Sequence, residues 1–227
     1  MSRAIQRSRG AALSGHTFAL LAVLLGLGWI LNAHAQQPQP RLNYEYRLIP
    51  QQPIATGERI EVVEFFWYGC PYCYQLQAPL ENWVKRKPAD VELRRIPAVF
   101  RESWVPHARL YYALEAIGEL DRLHQVVYRS HHEERQNLNS ADSTAEWVSR
   151  HGIDRSRWLA AYNSPEVEQN VRQAIANTRL YAVQGTPSLV VDGRYITSTG
   201  MTETVPGVIP ILEDLISNAR EQRRSVK

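Results

Sequence analysis

A strand that is apolar on both faces, Ile60 to Trp67, runs through Tyr68 and Gly69 into Cys70-Pro71-Tyr72-Cys73, and these are the only two cysteines of the 227-residue chain. Two-sided apolarity requires packed layers above and below, which places the strand at the centre of a sheet covered by helices. Alternation puts Val62, Glu64 and Phe66 on one side and Val63, Phe65 and Trp67 on the other. From Pro71 to about Lys87 the pattern turns helical. Tyr74, Leu76, Leu80, Trp83 and Val84 form an apolar stripe, and Pro71 takes a first-turn position where its missing N–H costs nothing. A disulfide stabilises by closing a loop, and one this short yields only about 2 kcal/mol. The spacing therefore suits a redox pair better than a staple.

The N-terminus reads as an export signal. Arg3, Arg7 and Arg9 give a basic start, Phe18 to Leu31 is an apolar run of 14 residues, and Ala33-His34-Ala35 offers small residues for cleavage before Gln36. The run is shorter than the ~20 residues needed to cross a bilayer, so cleavage after Ala35 is expected rather than a retained anchor. No later stretch is as long and apolar, so the mature chain is expected to be soluble. Removing residues 1–35 takes away three arginines and no acid, leaving 23 basic residues against 23 acidic. The basicity belongs to the signal, and neither nucleic acid nor an anionic membrane is implied as a partner. Export places the thiols in an oxidising compartment, where a chain needing staples usually carries more than one pair.

After a polar leader from Gln36 to Pro40, Asn43 to Ile49 is a weak edge strand. Val91 to Ile96 is a second strand, which with Ile60 to Trp67 and the intervening helix makes a β-α-β unit long enough for parallel pairing. Trp104 to about Ala182 is helical, broken at Gly118, at Asn137 to Ser143, at Gly152 and at Asn163-Ser164-Pro165. Ser188 to Val191, a turn at Asp192-Gly193, and Arg194 to Thr197 signal a hairpin, followed by a helix from about Val208 to Arg220. The order β-α-β, helical block, β-β-α predicts an α/β thioredoxin-like fold. Its mixed sheet is flanked by helices, with residues 36–100 and 178–227 forming the thioredoxin-like domain and 101–177 a helical insertion.

Only a thiolate attacks a disulfide. Cys70 sits where strand gives way to helix, so unpaired first-turn N–H groups and the helix dipole stabilise its charge, and Cys70 is the expected nucleophile. Cys73, one turn into the helix, is the expected resolving thiol. A stabilised Cys70 thiolate favours the reduced form and makes the disulfide an oxidant. Glu64 lies six positions before Cys70 in the central strand and is read as a buried, unpaired carboxylate able to exchange a proton with a nearby thiol.

Glu64 to Tyr74, the helical block, and Gly185-Thr186-Pro187 ahead of a hairpin and helix together resemble the DsbA family of periplasmic thiol:disulfide interchange proteins. The resemblance covers nearly the whole mature chain. It implies a cis Pro187 facing the cysteine pair, with Thr186 and Pro187 binding an extended substrate peptide, and a proton-relay role for Glu64. It also implies reduced exported polypeptides as substrates, reoxidation by a quinone-linked membrane partner of the DsbB type, and a monomer with no cofactor beyond the Cys70–Cys73 disulfide. One position departs from the family. Where its members commonly have a histidine credited with stabilising the thiolate, this chain has Tyr72, as in the C-P-Y-C of glutaredoxins. Tyrosine brings no positive charge, which leaves two readings: Pro71 and Tyr72 tune Cys70, the phenol by a hydrogen bond, or Tyr72 is a surface aromatic in a substrate-facing loop.

Two other functions remain open to the sequence. One is a disulfide isomerase or reductase, although Gln36 to the first strand leaves no room for the N-terminal dimerisation domain of periplasmic isomerases. The other is a peptide-binding module whose disulfide is incidental. A zinc site joining the cysteines to His107, His124, His131, His132 or His151 lacks ligand spacing, and these histidines are read as surface or helix-end residues.

Overall fold

The computed structural model describes residues 39–225. The expected export signal and its cleavage site lie outside them. Among the described residues no helix is long and apolar enough to cross a membrane.

Five strands, β1 (Arg47–Leu48), β2 (Ile60–Phe66), β3 (Val91–Pro97), β4 (Ser188–Val191) and β5 (Tyr195–Ser198), form one sheet in the order β1-β5-β4-β2-β3. β2 is central and every one of its residues is buried. It pairs parallel with β3, with Glu64 opposite Arg95, and antiparallel with β4, with Phe65 opposite Ser188. Between β2 and β3 runs α1 (Pro71–Val84), the crossover that parallel pairing needs. The sheet is mixed and thioredoxin-like.

The β4–β5 hairpin forms where Asp192-Gly193 directs it. The connection is three residues, Asp192 to Arg194; its first two have positive φ, 53° and 65°, which glycine adopts without strain, and the Arg194 N–H donates to the Val191 carbonyl at 3.1 Å. The expected edge strand over Asn43 to Ile49 contracts to the two residues of β1. Arg41 to Glu45 turn back on themselves instead. Asn43 sits at φ 65° and the Glu45 side chain accepts the Arg41 backbone N–H at 2.6 Å, diverting the groups a longer strand would have paired.

Five helices lie between β3 and β4: α2 (Val105–Ala116), α3 (Leu120–His132), α4 (Ala141–Arg150), α5 (Arg155–Tyr162) and α6 (Pro165–Leu180); α7 (Val208–Ser225) closes the chain. Their starts follow local chemistry. Ser140, Asp154 and Ser164 each cap a following helix, accepting backbone N–H groups of Ser143, Arg157 and Val167.

Three apolar clusters result. One face of the sheet packs Val62, Leu189 and Val191 against Leu76, Leu80 and Trp83 of α1 and Leu212, Leu215 and Ile216 of α7. The other packs Val63, Phe65, Ile96, Val190 and Ile196 against Ala174 of α6 with Tyr181 and Val183. The third lies within the helical block and takes in Phe66, Tyr68, Cys70 and Cys73. α6 belongs to both structures: Val167 and Val171 enter the helical cluster, while Ala174 enters the sheet cluster. The junction at 177/178 read from the sequence thus falls inside a continuous helix.

Candidate active site

The chain leaves β2 at Phe66 and turns sharply, with the Cys70 N–H donating to the Trp67 carbonyl at 2.9 Å. Gly69 has to be small here. A Cβ at this position would lie 2.3 Å from the Trp67 indole, which folds over it and stacks on Trp104 with ring centroids 4.0 Å apart and planes 4° from parallel. Cys70 is the N-cap of α1 with Pro71 in the first turn, and its sulfur accepts the Cys73 backbone N–H at 3.4 Å.

Two unlike thiols follow from this placement, both free. Cys70 has its thiol lowered to about 6, chiefly by the hydrogen bond from the Cys73 thiol, with help from the Thr186 side chain and from the backbone N–H groups of Cys73 and Tyr72, against the opposing effect of burial. Cys73 has no exposed surface, and burial, reinforced by the hydrogen bond its thiol donates to Cys70, pushes that thiol well above the ordinary range. The more acidic sulfur is the more accessible one.

Thr186 and Pro187 lie against this pair. Their peptide bond is cis, and the Cys70 thiol donates to the Thr186 carbonyl at 3.2 Å. Tyr72 is 56% exposed and lines a groove of about 480 Å³ together with Thr186 and Pro187. Its backbone N–H, and not its phenol, is the part that favours the Cys70 thiolate.

Glu64 is fully buried but not unpaired, a correction to the sequence reading. Arg95 Nε donates to its carboxylate at 3.0 Å, and Gln77 Nε2 lies 3.4 Å from the other oxygen. Burial still raises Glu64 above the usual carboxylate range, with Arg95 opposing. Gln77 Nε2 also donates to the Cys73 carbonyl at 3.2 Å, and Gln125 Nε2 donates to Gln77 Oε1 at 3.0 Å. A chain of amides thus runs from the half-buried Gln125 to Glu64, passing the backbone of Cys73. Glu61, equally buried on the opposite face of β2, pairs with Arg94 at 2.9 Å.

The histidines also differ from the sequence reading. His107 and His124 are interior, with 1% and 5% exposure. The His124 ring joins the Tyr68 hydroxyl through Nδ1 at 2.8 Å, and His132 Nε2 meets the Tyr68 carbonyl at 2.8 Å, so α3 grips the loop before Cys70 at two points. Burial, then the neighbouring His131, holds His107 down to about 3, a neutral ring at any ordinary pH. The spacing of His124, Val127, Tyr128 and His131 at i, i+3, i+4 and i+7 was the available sign that this face of α3 turns inward. Among the described residues no group of histidine, cysteine or acidic side chains is arranged to hold a metal ion.

The model of the DSBA-like thioredoxin domain matches residues 95–208, a span that begins after the cysteine pair and includes the cis Pro187 loop. A thiol:disulfide interchange protein DsbA of Burkholderia cepacia is 31% identical over 207 residues, covering 90% of this chain and 98% of its own. The chain belongs to the DsbA family. A DsbA of Azotobacter vinelandii is 33% identical, over 91% of this chain and 97% of its own length. The crystal structure of Pseudomonas aeruginosa DsbA superimposes with a TM-score of 0.78 at 30% identity, covering 82% of this chain and 97% of that one. DsbA membership thus extends across the sheet, the helical block and the cysteine-bearing turn.

Proposed function

We propose that the protein is a periplasmic thiol:disulfide oxidoreductase that donates its Cys70–Cys73 disulfide to reduced, newly exported polypeptides. Relatives named as thiol:disulfide interchange proteins support the activity class. The direction of attack rests on the unlike acidities of the two thiols, lowered to about 6 at Cys70 and pushed well up at Cys73.

A substrate thiolate attacks the Cys70 sulfur of the oxidised pair. The Cys70–Cys73 bond breaks, Cys73 leaves and takes up a proton, and a mixed disulfide forms at Cys70. A second substrate thiolate then attacks its partner sulfur and displaces Cys70 as a thiolate. The substrate loses two electrons and two thiol protons; the protein pair gains the electrons. The strong acidity of the Cys70 thiol makes this second displacement easy, because a stable thiolate is a good leaving group.

Glu64, its acidity weakened by burial, serves as the proton donor and acceptor for Cys73, with Gln77 and Gln125 as the hydrogen-bonded path outward. Thr186 and Pro187 bind the extended substrate segment beside Cys70, and Pro71 and Tyr72 tune the nucleophile through the backbone. Residues 36–100 and 178–227 form the redox domain and 101–177 the insertion. Export with cleavage after Ala35, reoxidation by a quinone-linked membrane partner of the DsbB type, and a monomeric state without other cofactor complete the reading. A reductase or isomerase is the second reading, favoured by Tyr72, whose exposed phenol brings no charge to Cys70.

Equilibrating the protein with a series of glutathione redox buffers tests the direction. A potential well above cytosolic reductants is expected, and one near them excludes the oxidase. Cys73→Ala should accumulate mixed disulfides at Cys70; their absence would refute the nucleophile assignment.

A further inference from the structure

The groove beside the cysteine pair is polar, and its charge is not balanced. One wall carries Tyr72, Thr186 and Pro187, and the other is Ser198 at the end of β5 with Thr202 and Glu203 of the segment after it. Glu203 is the one charged side chain lining it. A second groove of about 490 Å³ shares Thr202, Glu203 and Thr204 with the first and continues it toward Arg41, Tyr44 and Glu45. Arg41 pairs with Glu45 at 3.5 Å, and among the described residues Glu203 enters no ion pair. Along the joined grooves Glu203 is therefore the uncompensated charge.

Its position is braced. The Thr202 hydroxyl donates to the Thr204 carbonyl at 2.9 Å, and the Thr204 hydroxyl accepts the Gly207 N–H at 3.2 Å as cap of the following turn. The carboxylate thus stands in water on an ordered loop, lining the same groove as Thr186. Thr186 lies outside β4, and its N–H has no acceptor among the described residues, which leaves an edge for an extended peptide. Exposed aromatic faces at Tyr72 and Tyr44, 56% and 70% exposed, stand along the same path.

Building on the reading of Cys70–Cys73 as a substrate-oxidising pair, we propose that these grooves select segments that carry a lysine or arginine close to the reacting cysteine. Glu203 is the residue that reads that charge. A basic side chain gains the attraction of an unmatched carboxylate, whereas an acidic one meets repulsion in the same place. Because Glu203 is solvated, the discrimination is modest and sensitive to salt.

The test is a competition between reduced dithiol peptides that differ only in having arginine, glutamine or glutamate at one position, scanned over the two residues on either side of a cysteine. Oxidation by the disulfide form is followed by mass spectrometry. At one or more positions kcat/KM should favour arginine over glutamate by up to about five-fold, the range of an exposed ion pair, and the ratio should shrink in 1 M salt. Glu203→Gln should bring the ratio to about one, and Glu203→Lys should invert it. No preference in the unaltered protein, or an arginine preference that survives Glu203→Gln, overturns the proposal. Failure to oxidise any of the peptides would instead overturn the oxidase reading, and this proposal with it.

Discussion

Removing the Cys73 thiol should make Cys70 less acidic, because its hydrogen bond is the largest of the effects that lower Cys70. In Cys73→Ala the midpoint of Cys70 alkylation against pH should rise from about 6 toward the ordinary thiol range; an unchanged midpoint would assign the effect to Thr186 and the helix N-terminus instead. Gly69→Ala should strike the Trp67 indole and cost about 1–3 kcal/mol, seen as a lower urea midpoint with altered tryptophan fluorescence. Arg95→Ala should cost more, about 3–5 kcal/mol, since it takes the charged partner from the fully buried Glu64. These residues differ in how far the sequence exposed them. Cys70, Pro71 and Cys73 are readable because their chemistry is local to one turn, where a strand's end and a helix's first N–H groups are set by adjacent residues. The partner of Glu64 is not. Arg95 stands 31 residues away and meets it only through the register of β2 on β3, which no local pattern specifies.

At the scale of elements, α3 positions the active turn from outside the sheet. Its His124 ring meets the Tyr68 hydroxyl and its His132 ring meets the Tyr68 carbonyl, two residues before Cys70. Tyr68→Phe leaves the buried His124 nitrogen without that partner and should lower stability by about 1–3 kcal/mol, measured by chemical denaturation of the reduced form. The hairpin and the helix breaks were legible for a physical reason: Asp192-Gly193 and Gly118 impose positive φ within one or two residues, and Ser140, Asp154 and Ser164 cap through their own side chains. β1 was less legible. Apolar alternation over Asn43 to Ile49 competes with the turn that Arg41 and Glu45 close, and an edge strand has too few ladder bonds to resist it. The inward histidines were misread because residue type outweighed helical spacing.

Across the whole molecule, the same thiolate links redox state to stability. Cys70 has its folded value lowered to about 6 from an unfolded thiol near 9, so the stabilisation of the reduced protein is fully present above about 9 and is lost as pH falls through about 6. The oxidised protein carries no such group. The reduced form should therefore gain stability relative to the oxidised form as pH rises and lose it in acid; calorimetry of both forms between pH 5 and pH 8 checks the sign. A difference between the two forms that did not change with pH would contradict a Cys70 thiolate stabilised by the fold.

The most direct measurement is the titration of Cys70 in the reduced, unsubstituted protein, followed through the pH dependence of its alkylation and located by peptide mapping. A midpoint near 6 with Cys73 unreactive is the expected result. A midpoint near 9, or alkylation shared equally between Cys70 and Cys73, would contradict the account.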